Sequence, residues 1–119
     1  MLAFNVIIEN PLFIIPFLAG FIFSAAGLIM FKYPPKTINS LYGYRTASSM
    51  KSHERWDFAQ SYSAKKLIRW GLILMLAALT GCFYTLPGAF GVIVGLLLMI
   101  VYVAIPVLKT EKELRKRFE

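Results

Sequence analysis

The sequence predicts an all-α integral membrane protein, with three transmembrane helices and a cytoplasmic interfacial amphipathic helix. Three observations carry that prediction. Of the 119 residues, 58% are hydrophobic and only 16% charged, with a mean hydropathy of +0.64. Soluble domains carry about 25% charged residues. Two stretches, 10–31 and 70–108, contain no Asp, Glu, Lys or Arg. Finally, all 13 Lys and Arg fall within 32–69 and 109–119, so the net charge of +7 is segregated. Such segregation marks loops on one side of a bilayer. It does not suit a surface that follows nucleic acid, and no nucleic-acid partner is expected.

The first span is expected at about 11–31. A helix rises about 1.5 Å per residue and needs about 20 apolar residues to cross the hydrocarbon. No Lys or Arg precedes this run, so it reads as a retained helix and not a signal peptide. Pro11 suits the first turn, and Pro16 is placed to kink the helix one turn further in. Gly20, Ser24 and Gly27 set small residues near one face, where a second helix could approach. Tyr33-Pro34-Pro35 then ends the helix, because proline cannot continue it and pushes its predecessor toward extended backbone.

Residues 32–66 form the one long polar passage, read as a cytoplasmic loop followed by the interfacial helix. Gly43 is expected to take a backbone shape that a side chain would forbid. Ser52 is expected to cap a helix starting at His53, with Glu54 and Asp57 opposing the dipole in its first turn. Trp56, Ala59, Ser63, Leu67 and Trp70 recur at helical spacing and define an apolar face. Lys65, Lys66 and Arg69 gather near the headgroups, where long basic side chains reach water.

Residues 70–108 are too long for one span and suit two joined by a tight turn at Leu86-Pro87-Gly88. The spans are expected at about 67–86 and 89–108. Gly91 and Gly95 form a GxxxG pair, as Ala77 and Gly81 do more weakly, and both read as packing surfaces. A homo-oligomer through Gly91 and Gly95 is the alternative use. The basic tail 109–119 is expected to be a short charged helix or a frayed end that anchors topology. Three spans place the loop and the tail on one side, and the positive charge makes that side cytoplasmic, with the amino terminus outside. The whole chain, 1–119, reads as one membrane domain.

Little in the chain suggests catalysis. One cysteine, Cys82, and one histidine, His53, cannot supply a zinc ligand set. His53-Glu54-Arg55-Trp56-Asp57 has an HExxD spacing that puts residues 53 and 57 on one face, which also suits a plain local His–Asp pair. No triad, phosphate-cradling glycine loop or buried charge within a span is present in the pattern. No catalytic residue, metal or cofactor is assigned. Tyr42, Tyr44, Arg45, Lys51 and Trp56 remain as a polar-aromatic set beside the inner leaflet. Arg45 either grips a phosphate, carboxylate or peptide group, or pairs with Glu54 or Asp57 to lock the loop. Trp56, Met50 and Gly43 suit filling and turning.

Asn39, then Gly43-Tyr44-Arg45-Thr46, then Ser49-Met50-Lys51-Ser52, then Glu54 and Trp56, followed by a membrane helix, resemble the signature of the SdpI family of bacterial membrane proteins. The resemblance covers about residues 33–75. Ala47 stands where a proline often follows Arg-Thr, and Gln60 where an asparagine often follows the tryptophan. The best-known members carry an extra membrane domain before this one, so the chain looks like the short form. The resemblance implies residence in the bacterial cytoplasmic membrane. It also implies immunity to a secreted antimicrobial peptide, with Asn39, Tyr42, Tyr44, Arg45, Thr46, Ser49, Lys51, Glu54 and Trp56 as the ligand- or partner-binding set. Some members are signalling receptors that hold a soluble repressor at the membrane, which makes a scaffold the second expectation. A membrane enzyme or carrier for a phosphorylated or peptidic substrate is the third. The expected partners are therefore the lipid bilayer, a peptide toxin, and a soluble repressor at the cytoplasmic face.

Overall fold

A computed structural model describes residues 7–119. The expected outward placement of the extreme amino terminus falls on residues 1–6, outside the described residues. Three long helices run through the described residues: α1 (Pro11–Lys32), α2 (His53–Gly81) and α3 (Phe90–Phe118). The molecule measures 52 × 25 × 21 Å. Leu12 of α1 lies beside Gly81 at the end of α2, and Gly27 beside Ala64, so the two helices run antiparallel. Gly91 and Gly95 of α3 lie against Pro11 and Ile15 of α1, so α3 runs parallel to α1.

Small residues set the α1–α2 contact. A Cβ on Gly20 would stand 2.6 Å from the Gly71 carbonyl oxygen, and one on Gly27 would stand 2.8 Å from that of Ala64. The stripe expected at Gly20, Ser24 and Gly27 is therefore the contact face, and its partner on α2 includes Gly71. Close backbone approach of this kind is what small residues permit in membrane bundles. The GxxxG pair of α3 has the same use. Gly91 and Gly95 are buried, and α1 of the same chain occupies that face.

Asn10 ties two helix ends together. Its Oδ1 accepts from the Leu12 N–H at 3.1 Å and caps α1. Its Nδ2 donates to the carbonyls of Gly81 and Tyr84, both at 2.9 Å. Helix ends leave carbonyls without intrahelical partners, and here one side chain serves both termini.

The boundaries differ from the sequence expectation in three places. The second span was expected to reach 86, but α2 stops at Gly81. Cys82 N–H turns back to Leu79 O at 3.2 Å, and the chain then descends through a short link to Gly88 at φ +59°. The interfacial helix expected before residue 67 is not separate, since it is the first half of α2. The tail is likewise the last part of α3 and neither frays nor stands apart. In both cases nothing between the polar and apolar parts breaks a helix, and Pro106 sits inside α3 without ending it.

α1 and α3 are each long and apolar enough to cross a membrane, with mean window hydropathies of 2.4 and 2.8. Their outer faces expose Leu18, Phe21, Ile22, Leu97, Ile100 and Val101. An apolar surface this extensive belongs against lipid, so the protein is an α-helical membrane protein. At 29 residues each, α2 and α3 are about 43 Å long, and α3 overshoots a hydrocarbon core of about 30 Å. The charged end of α3 lies where α1 delivers the polar loop.

Gly20→Val should lower the midpoint of thermal unfolding in detergent by an amount equivalent to about 1–3 kcal/mol, the usual range for an overpacked contact. Gly88→Ala should cost about 1–2 kcal/mol, through its left-handed backbone alone, since a Cβ there meets nothing within 4 Å. Detergent melts of the two variants should therefore separate a packing defect from a backbone one. Wild-type stability for Gly20→Val would remove the close contact from the account.

Candidate functional site: a loop clasped to the charged end of the third helix

Residues 33–52 have no helix or strand, so their backbone groups need other partners. Asn39 supplies the first. Its Oδ1 accepts from the N–H groups of Leu41 and Tyr42 at 2.9 and 2.7 Å, closing a tight turn. Tyr42 then reaches back and donates its phenol to Tyr33 O at 2.6 Å, at the end of α1. Gly43 follows at φ +112°, a left-handed conformation that L side chains rarely adopt.

Gln60 supplies the next. Its Oε1 accepts from Tyr44 N–H at 2.7 Å, while its Nε2 donates to Tyr44 O at 2.8 Å. One buried amide thus satisfies both sides of one residue, much as a neighbouring strand would. Gln60 is 1% exposed, so loss of either bond would strand a buried polar group. Thr46 and Ser49 then bracket a short turn reciprocally. Thr46 N–H donates to Ser49 Oγ at 2.9 Å, and Ser49 N–H donates to Thr46 Oγ1 at 3.1 Å. Ser52 caps α2 as expected, accepting from Arg55 N–H at 3.1 Å.

Trp56 is fully buried, and its indole N–H donates to Pro35 O at 2.8 Å. It therefore pins the entry of the loop to α2 and presents no surface to a partner. The side chain of Arg55, buried beside it, donates to Ser48 O at 2.8 Å and Ser48 Oγ at 2.7 Å. It also pairs with Glu119 at 3.3 Å and lies over the Phe118 ring.

The far end of α3 completes the arrangement. Tyr44 donates its phenol to Glu111 Oε1 at 2.8 Å. Burial, and then the Glu111 carboxylate, hold that phenol well above the usual tyrosine range, so it stays a donor. Thr110 and Leu114 are fully buried, Phe118 meets Phe58 edge to face, and Arg117 lies over Phe58. The basic tail is thus a wall of the site.

The structure brings Asn39, Tyr42, Tyr44, Thr46, Ser49 and Trp56 into one hydrogen-bonded cap. It leaves Arg45, Lys51 and Glu54 exposed. Arg45 does not pair with Glu54 or Asp57, the locking alternative raised by the sequence. Its Nε donates to Asn39 O at 3.1 Å, and the lock is made by Gln60 and Arg55 instead. Asp57 is engaged by His53, 3.0 Å away on the surface. Among the described residues, no group of three His, Cys, Asp or Glu could hold a metal ion.

Sequence reasoning missed Gln60, Arg55, Glu111 and Glu119. Gln60 was detectable, because it is a polar residue four positions from Trp56 on an otherwise apolar face. Glu111 and Glu119 were not, because their partners lie far away in the chain, and Arg55 was not, because its bonds to Ser48 depend on how the loop folds back.

Replacing Gln60 with Glu keeps the acceptor for Tyr44 N–H and removes the donor to Tyr44 O. The expected loss is about 1–3 kcal/mol in a detergent melt, the penalty for a stranded buried polar group, and no loss would dismiss the clamp. The Tyr44 contact makes a second prediction. Its phenol pKa is raised on folding above the ordinary 10.0, so its contribution to stability is complete below about pH 10 and fades as pH rises further. Tyr44→Phe should flatten that alkaline decline in a melting series. An unchanged alkaline slope would show that the phenol is not held neutral by folding.

Comparison with known proteins agrees with this anatomy. The family model described as the SdpI/YfhL protein family matches residues 36–108. That range covers the loop, α2 and most of α3. The chain is also 39% identical over 90 residues to "Uncharacterized protein YfhL" of Bacillus subtilis (strain 168), covering 76% of each chain. No solved structure matches it. With a family model spanning more than half of its length, this membrane protein belongs to the SdpI/YfhL family.

Proposed function

We propose that this chain protects a bacterial cell membrane against a secreted antimicrobial peptide. The observation that carries the proposal is the family match over residues 36–108, which takes in the signature loop. The architecture fits such a task. Two helices expose broad apolar faces to lipid, where a membrane-acting peptide must arrive, and a rigid polar cap sits at one end of the bundle.

In this proposal α2 is the second span. It packs antiparallel along α1, and the side chains of Lys65, Lys66 and Arg69 extend toward the headgroups. The cap then lies in the cytoplasm with both basic segments, and the 82–89 link lies outside. Arg45 is the residue to test first. It is exposed and contributes one hydrogen bond to the loop, so its role can be separated from folding.

Expression of the chain in a peptide-sensitive bacterium should raise survival under challenge with secreted antimicrobial peptides by about tenfold or more, the factor that 1.4 kcal/mol of binding would give. Arg45→Ala should reduce the protection while leaving protein abundance in the membrane unchanged. Survival equal to that of the empty-vector strain across the peptide panel would contradict the proposal.

A further inference from the structure

Between the loop and the last turns of α3 lies an open groove of about 460 Å³, lined by Thr46, Ala47, Ser48, Lys51, Glu111, Arg115 and Glu119. Its charges are not equivalent. Glu111 already accepts from Tyr44, and Glu119 pairs with Arg55. Lys51 and Arg115 form no ion pair or side-chain hydrogen bond among the described residues, and both are exposed. Ser48 Oγ accepts from Arg55 at 2.7 Å, which leaves its own proton free to donate. The donors still unfilled are therefore an ammonium, a guanidinium and a hydroxyl, and each carboxylate of the groove is already engaged through one oxygen. Planar guanidinium and ammonium donors beside a hydroxyl suit a tetrahedral oxyanion.

The groove is also at a telling depth. The charge-free stretch of α3 ends at Leu108. Glu111 lies about 4 Å beyond it along the helix axis, and Arg115 about 10 Å, at a rise of 1.5 Å per residue. That interval is where phospholipid phosphates sit next to the hydrocarbon.

We propose that this groove binds a phosphate group, either that of an anionic lipid headgroup or that of a small soluble phosphate ester. Lys51 and Arg115 neutralise the charge from opposite walls, and Ser48 donates to a third oxygen. Because one wall is the loop and the other is α3, a bound phosphate bridges the two. The site is independent of whether the chain confers immunity.

The test has two arms. In the first, the full chain is placed in nanodiscs of phosphatidylcholine containing about one tenth phosphatidylglycerol, and lipid retained after transfer to neutral detergent is measured by native mass spectrometry. In the second, sn-glycerol 3-phosphate is titrated calorimetrically into the chain in maltoside micelles. The double variant Lys51→Ala/Arg115→Ala should weaken whichever binding occurs by about tenfold or more, in line with about 1 kcal/mol per basic residue. Lys112→Ala/Lys116→Ala removes the same amount of charge from the end of α3 without touching the groove, and should change binding by less than about twofold. Lys51→Arg/Arg115→Lys should restore it. Retention of phosphatidylglycerol without binding of the ester identifies a lipid site, and binding of the ester shows that the phosphate alone suffices. No saturable binding in either arm, or equal losses in the two alanine pairs, would overturn the proposal.

Discussion

The amide of Gln60 is the interaction on which the cap depends. A loop of this length must find partners for its backbone, and residues 43–46 lie where no strand is available to supply them. Gln60 meets both the N–H and the carbonyl of Tyr44 from inside α2. Once Tyr44 is fixed, its phenol points to Glu111 of α3, and the turn at Thr46–Ser49 falls beside Arg55. Removing the clamp would leave each later contact without a fixed starting point. A shorter or purely apolar side chain at position 60 could bury itself but could not do this.

The membrane explains why the cap can exist. Helices that only crossed the bilayer would have nothing to hold a loop against. The charged ends of α2 and α3 lie together beyond the apolar stretch of α3, and they carry Arg55, Trp56, Gln60, Glu111, Leu114 and Phe118. At the opposite end the demand is different. There the link is short, and Asn10 donates to the last carbonyl of α2 and to that of Tyr84 in the link while capping α1. Between the two ends, Gly20, Gly27 and Gly71 let backbones approach closely, so the bundle is narrow and its outer faces are left to lipid.

Most of this frame was legible because its causes are local. Tyr33-Pro34-Pro35 stops a helix whatever lies nearby, Ser52 caps one, and a small-residue face predicts a close neighbour. Gly43 signalled its positive φ for the same reason. The end of α2 was misjudged because hydropathy continues past Gly81, whereas the helix ends where Asn10 and the turn at Cys82 take its carbonyls. The site was legible only in part. The loop residues could be named, but Trp56 proved to be a buried pin, and Arg45 proved not to be the lock. Arg55 reaches Glu119, and Tyr44 reaches Glu111, across a separation no local pattern encodes. The charges of the tail are plain in the sequence, but the packing of Thr110, Leu114 and Phe118 into the cap is not.

The central claim is that loop and helices form one ordered unit through the Gln60 clamp. Hydrogen–deuterium exchange of the chain in nanodiscs tests it most directly, read at the amide of Tyr44 beside the exposed amides of Ile38 and Ser40. The account predicts that the Tyr44 amide exchanges as slowly as amides within α2 and accelerates to loop-like rates in Gln60→Leu. Fast exchange at Tyr44 in the wild-type chain, equal to that at Ile38 and Ser40, would contradict it.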